Sequence, residues 1–219
     1  MGTPADDPLA SARLAALGVA EPGRVRQGLA AYAALLRRWA RARNLVAPGD
    51  LPRLERRHLL DSLAALPLLR GPRVLDLGTG AGLPGIPLAL ASPALRFVLL
   101  DRRAGRTAFV EHAVAQLGLA NVEVVTATAE AHAREAGARY GTVLARAVAG
   151  LAGLAALAGP LLAPGGRVVA WQGPAAAGGL AALPDGWRGR LVEASAAATG
   201  TLVVLERDPA GAAGVAPVV

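Results

Sequence analysis

The segment GTGAGLPG, residues 78–85, directly follows the apolar run Val74-Leu75-Asp76-Leu77. Glycines at this spacing after a strand bring bare backbone N–H groups up to a ligand at the start of a helix. The segment reads in two frames. Gly80, Gly82 and Gly85 fit the G-x-G-x-x-G of a dinucleotide binder, whereas Asp76-x-Gly78-x-Gly80-x-Gly82 fits the first loop of a methyl-donor site. A carboxylate beside a pyrophosphate is repelled, but Asp76 can hold the loop backbone or the amino group of a donor that carries positive charge. Asp101, 21 residues after Gly80 at the end of the next apolar run, can accept both ribose hydroxyls in either frame. The methyl-donor frame accounts for more of the residues; a dinucleotide site, or a tight packing turn with no ligand, stays open on spacing alone.

Beyond this loop, few residues have the types and spacing of a catalytic group. No Cys is present, which excludes thiol nucleophiles, thiolate metal sites and disulfides. The three His are scattered, so neither a triad nor a metal site is expected; His112 and His132 are structural or solvated on this reading. Arg146 closes the fourth apolar run, where its fork can take a donor carboxylate or an RNA phosphate bidentately. His58, among leucines, can stack on or hydrogen-bond a base, or be an ordinary core-edge histidine. Trp39 and Trp171 are expected to be core anchors.

The elements that must position these groups alternate. Strands are predicted at Arg73–Leu77, Arg96–Asp101, Val122–Ala127, Thr142–Ala145, Arg167–Trp171, Gly189–Glu193 and Thr201–Glu206. Helices are predicted between them at Leu83–Ala91, Arg103–Leu117, Glu130–Ala136 and Gly150–Leu162. That rhythm specifies an α/β, doubly wound, mostly parallel sheet, and the short final connection makes the last two strands an antiparallel end pair. Ahead of it, Val25, Leu29, Tyr32, Leu35, Leu36 and Trp39 form the stripe of an amphipathic helix, and a second helical pattern runs through Leu54, His58, Leu59, Ser62, Leu63 and Leu66. The expected organisation is a helical cap over residues 1–70 in the same compact unit, an α/β domain over 71–207, and a frayed Ala/Gly/Pro-rich tail over 208–219.

All 23 basic residues are Arg, against 16 acids, for a net charge of +7. Residues 1–60 hold ten Arg and five acids, which makes the cap a basic face suited to an anion. Arg24, Arg26, Arg37, Arg38, Arg41, Arg43, Arg53, Arg56 and Arg57 are its candidate phosphate contacts. The most apolar stretch, residues 147–163, is broken by Gly153, Gly159 and Pro160 and reads as a buried helix rather than a membrane span. Met1 to Leu9 carries Asp6 and Asp7 and no secretory pattern, so a cytoplasmic protein is expected, with no membrane partner; a monomer is the expected state.

Asn44-Leu45, the segment Arg57-His58-Leu59-Leu60-Asp61-Ser62-Leu63, Asp76 through Gly85, Ala129-Glu130 and Arg146-Ala147 together resemble the RsmG family. Its members are 16S ribosomal RNA guanine-N7 methyltransferases, once called glucose-inhibited division protein B. The resemblance implies a Rossmann-like class I methyltransferase that uses S-adenosylmethionine to methylate N7 of a guanine in small-subunit 16S rRNA. It lines the donor site with Gly78 and Leu83, puts the ribose on Asp101, the adenine beside Ala129 and Glu130, and the far end at Arg146; the loop itself adds Asp76, Thr79, Gly80 and Gly82. The resemblance puts Asn44 and His58 near the RNA-facing mouth, and the basic face adds Arg37, Arg38, Arg41, Arg43, Arg56 and Arg57 as RNA contacts. A lone pair on guanine N7 needs no general base, so Arg146 and His58 are the only candidates for catalytic groups and positioning carries the reaction. The chain departs from the family pattern at Gly105, Thr128, Gln172, Gly200 and Thr201. Two other readings are a methyltransferase of a small molecule or protein, and an RNA-binding relative with impaired catalysis.

Overall fold

The computed structural model describes residues 7–43, 45–146, 148–173, 176–192 and 201–208, with only the backbone of residues 40–43 and 176–177. Asn44, Ala147, Glu193, Gly200 and the tail beyond Asp208 lie outside the described residues. Strands β1 (Arg73–Leu77), β2 (Arg96–Asp101), β3 (Val122–Thr126), β4 (Tyr140–Arg146), β5 (Leu162–Gln172), β6 (Trp187–Val192) and β7 (Thr201–Arg207) form one sheet in the order β3-β2-β1-β4-β5-β7-β6. β1 to β5 pair in parallel; β7 runs antiparallel between β5 and β6. The chain leaves β1 toward β2 and β3, then returns on the other side to β4. A crevice therefore opens at the carboxyl ends of β1 and β4, the switch point where α/β sheets take ligands.

Helices α1 (Ser11–Ala16), α2 (Pro22–Arg43) and α3 (Asp61–Leu63) make up the N-terminal part. Between and behind the strands lie α4 (Gly85–Ala91), α5 (Ala104–Leu117), α6 (Ala129–Ala136), α7 (Leu151–Ala158) and α8 (Ala176–Leu180). The second cap helix expected through Leu54 to Leu66 is present but irregular: after a 3₁₀ turn at Pro48–Arg53 the chain is helical from Leu54 to Leu63, winding as a π segment over Glu55–Leu60 and continuing into α3, and a 3₁₀ turn follows at Leu66–Leu68. No proline lies within the π segment; Pro67, which lacks an N–H and crowds the Leu63 carbonyl, ends the helical run there. Likewise Pro160 ends the expected Gly150–Leu162 helix early; α7 stops at Ala158 and β5 starts at Leu162.

Strand alternation sorts the core onto two faces. Val74, Phe97, Leu99, Leu144, Val169 and Trp171 face the cap, α4 and α5, where Leu29, Tyr32, Leu36, Leu54, Leu59 and Leu63 pack against them. Leu75, Leu77, Val98, Leu100, Val143, Ala145, Val168 and Ala170 face the other way, onto α7 and Tyr140. The cap thus shares one hydrophobic cluster with the sheet. Among the described residues no helix is long and apolar enough to cross a membrane.

Candidate active site

Strand alternation also decides where Asp76 goes. It shares the parity of Val74 and points beneath the cap, where its side chain is fully buried. Oδ2 accepts from the Thr79 hydroxyl (2.6 Å) and the Gly85 N–H (2.9 Å), cinching the glycine loop at both ends, while buried Oδ1 has no hydrogen-bond partner among the described residues. Burial raises the carboxyl from its ordinary value of 3.8 to about 6, against the two hydrogen bonds and distant Arg146, which lower it. From the cap, Tyr32 Oη donates to the Ala81 carbonyl (2.5 Å), and burial holds that phenol well above its ordinary pKa. A Cβ on Gly82, at φ +91°, would lie 2.5 Å from Ile86 Cδ1 and 3.0 Å from Tyr32 Oη, so only glycine fits this turn.

In front of the loop is a cavity of about 640 Å³, lined by Leu77, Gly78, Leu100, Asp101, Arg102, Arg103, Arg106, Ala127, Thr128, Ala129, Glu130, Arg146, Val148 and Leu157. Asp101 joins its two walls: Oδ2 accepts the Gly80 N–H (3.0 Å) and Oδ1 the Arg103 N–H (2.9 Å). Each oxygen keeps a second lone pair for a hydroxyl donor. Arg106 lies across the loop, since a Cβ on Gly80 would come within 2.8 Å of its Nη1. Thr128, one of the departures from the family pattern, caps α6 by accepting the Ala131 N–H at 3.2 Å. The exposed Glu130 carboxyl is lowered by its own backbone N–H and by the Thr128 hydroxyl.

Gly78, Asp101, Ala129, Glu130 and Arg146 therefore line the cavity, while Asp76, Thr79, Gly80, Gly82 and Leu83 build the loop from behind it. Arg146 behaves differently from a free fork. It is the register partner of Trp171, its Cζ 5.2 Å from that ring centroid, and it leans under the cap. Nη2 donates to Asp61 Oδ2 and Nη1 to His58 Nδ1 (3.1 Å); Nε is buried without a partner among the described residues. The fork offered to an external anion is closed on internal groups. Because arginine only donates, His58 Nδ1 must accept, which makes the ring neutral with its proton on Nε2. Burial and Arg146 both lower the His58 pKa, consistent with that state. Nε2 approaches Asp50 Oδ2 at 3.4 Å without the alignment of a hydrogen bond.

The basic face divides in two. Arg37 pairs with Glu55 (2.6 Å), Arg57 with Asp50 (3.1 Å), Arg24 with Glu21 and Arg26 with Asp7. Arg53 stands 3.7 Å from Asp50. Arg38 and Arg56 are exposed and make no ion pair among the described residues; the side chains of Arg41 and Arg43 fall outside those described. Arg102 and Arg103, which stand close to the Gly105 departure and can make up for its missing charge, line the cavity together with Arg106; all three make no ion pair among the described residues. Sequence reading missed Tyr32 and Asp61 as site groups. For Arg146 the signal was available, since the parity that buries Leu144 under the cap also turns Arg146 there. His112 stacks at 5.4 Å on Trp39, and His132 Nε2 bonds the Tyr140 hydroxyl at 2.6 Å, so both histidines stand outside the cavity in packing roles.

A family model described as rRNA small subunit methyltransferase G matches residues 25–197. The chain is 47% identical over 173 residues to Ribosomal RNA small subunit methyltransferase G of Methylococcus capsulatus, covering 79% of this chain and 83% of that one. It is 42% identical over 182 residues to the protein of the same name from Chromohalobacter salexigens, with coverage of 83% and 86%. Among solved structures, a methyltransferase from Geobacter sulfurreducens matches with a TM-score of 0.58 at 19% identity, covering 80% and 89% of the two chains. The O-methyltransferase TomG from Streptomyces achromogenes, solved in complex with SAM, matches with a TM-score of 0.54 at 17% identity, covering 83% and 89%. These two share the open α/β sheet of class I methyltransferases.

Proposed function

The chain belongs to the family of rRNA small subunit methyltransferase G, and on that premise we propose that it transfers a methyl group from S-adenosylmethionine to N7 of a guanine in 16S rRNA. The observation that carries the donor assignment is the cavity at the switch point, with a glycine loop on one side and a carboxylate holding both walls. The residues fit the donor: bare backbone at Gly78, a ribose acceptor in Asp101, and small Ala127 and Ala129 where a flat adenine needs room. Among the described residues, Asp101 and Glu130 are the carboxylates that line the cavity.

When bound, the donor supplies a methyl group on a sulfonium. The protein's own residues have to hold donor and base in line, because guanine N7 carries its lone pair in the neutral ring and no proton moves. Alignment of this kind is worth ~7–11 kcal/mol of barrier. The reaction needs no general base from the protein: His58 is turned to Arg146, Asp101 holds backbone, and Glu130 stands at the α6 end where the resemblance puts the adenine. Arg102, Arg103 and Arg106 on the cavity wall and the exposed Arg38 and Arg56 on the cap make no ion pair among the described residues, and so leave positive charge free for phosphate.

The test is incubation of the purified protein with methyl-labelled S-adenosylmethionine and, in parallel, small ribosomal subunits, naked 16S rRNA and a metabolite pool. Label in 16S rRNA as a single N7-methylguanosine, located by chemical cleavage at that base, is expected. Label in the metabolite pool alone, or at a ring position other than N7, would overturn the assignment.

A further inference from the structure

Asp61 is a carboxylate that the chemistry above does not use, yet it is buried at 4% exposure beside the cavity wall. Three bonds fix its surroundings. Its Oδ2 accepts from Arg146 Nη2, its backbone carbonyl accepts from Trp171 Nε1 at 3.2 Å, and Ser62 Oγ, its neighbour, donates to the His58 carbonyl at 2.5 Å. Arg146 is thereby clasped between a cap carboxylate, a neutral histidine and an indole face, while part of it remains on the cavity wall with Gly78. In a low-dielectric site a lone guanidinium acts at full strength on neighbouring charge.

Resting on the methyl-transfer reading, we infer that Asp61 is a positioning residue that holds Arg146 against Trp171 and cancels its charge, keeping this wall neutral during the reaction. The lone pair on guanine N7 forms the new bond to the methyl carbon as the carbon–sulfur bond breaks and its electrons return to sulfur. Positive charge consequently leaves the sulfonium and appears on the ring, with no proton moved. With Arg146 on the base side of the methyl carbon, an unbalanced guanidinium would oppose that arrival of charge. Paired with Asp61, it supplies shape and a donor N–H without opposing it.

The pair can be taken apart one charge at a time. Asp61→Asn keeps an oxygen to accept from Arg146 and removes only the negative charge. We expect its kcat on rRNA to fall ten- to a hundredfold, about 1.4–2.7 kcal/mol, with the donor Kd changed less than about threefold. Adding Arg146→Gln removes the stranded cation, so the double variant should turn over faster than Asp61→Asn alone. A role in merely tethering the cap predicts the opposite, because both ends of the tether are then gone. Unchanged kcat in Asp61→Asn, or a double variant no faster than it, overturns the inference. Should Asp61→Asn fail to bind donor, Arg146→Gln and the double variant carry the test: without the guanidinium, loss of Asp61 should alter kcat by less than about twofold. A tenfold gap between those two, or loss of both activities, overturns it. Failure of the wild-type protein to methylate rRNA would sink the functional reading itself, and is seen separately from this comparison.

Discussion

Replacing Asp76 with Asn should make stability respond to pH in a way that reveals the buried carboxyl. In the folded protein that group titrates near 6, against an ordinary value of 3.8, because burial disfavours its charged form. At ~1.4 kcal/mol per pH unit the difference amounts to about 3 kcal/mol. Since the folded value is the higher one, the folded state binds the proton more tightly. The contribution is fully present below pH 3.8, is lost as pH rises through about 6, and is absent above that. Asn cannot titrate, and its Oδ1 can still accept from Thr79 and Gly85; its amide brings a fixed offset independent of pH. The variant should therefore gain about 2–2.5 kcal/mol relative to the wild type between pH 4 and pH 7, or roughly 4–10 °C in relative Tm for a chain of this size. Urea or thermal unfolding of both proteins, free of donor, at half-unit pH intervals measures this, and groups common to both cancel in the difference. A stability difference that stays flat from pH 4 to pH 7 would refute the reasoning. It would mean that Asp76 is ionised at its ordinary value, with Oδ1 reached by water or a cation.

Tyr32→Phe leaves the buried Ala81 carbonyl without its donor and should cost about 1–3 kcal/mol, read as a Tm loss of roughly 2–12 °C. Gly82→Ala meets both a left-handed backbone and the Ile86 and Tyr32 side chains; donor binding by calorimetry should weaken at least tenfold, whereas Gly49→Ala, with no neighbour near its Cβ, should be silent. Thr128→Ala removes the cap of α6 and should destabilise by about 1 kcal/mol, seen in chemical denaturation. RNA binding should weaken linearly in log–log salt titrations, and Arg38→Gln with Arg56→Gln should make the slope shallower by about one to two; an unchanged slope would remove these two from the contact surface.

Much of this architecture was legible because it is local. β1 and β2 begin and end where alternation and flanking loops predict, and Gly118, at φ +63°, stops α5 as the sequence implies. The glycine loop and Asp101 were equally visible, since both announce themselves by spacing after a strand. The cap behaved otherwise. Its helical periodicity from Leu54 to Leu66 was real, and the backbone is helical to Leu63, but six of those residues wind as a π segment and Pro67 stops the run, which periodicity alone does not register. α1 was not anticipated, being only six residues long with a single buried leucine. The partners of Arg146 were illegible for a different reason: Asp61 and His58 lie 85 and 88 residues away, and nothing short of the tertiary fold brings them together. Thr128 shows the reverse case, a departure from family pattern that local rules explain at once as a helix cap. Gln172 and Thr201, two further departures, prove to be register partners on β5 and β7.

Arg146 and Trp171 face each other across neighbouring parallel strands as the last matched pair of their ladder. Side chains alternate strictly along a strand, so a one-position slip between β4 and the rest of the sheet would carry the guanidinium to the α7 side, out of reach of everything that now clasps it. Correct alignment of hydrogen-bonded neighbours during folding and assembly of the reaction wall are, for this molecule, a single event.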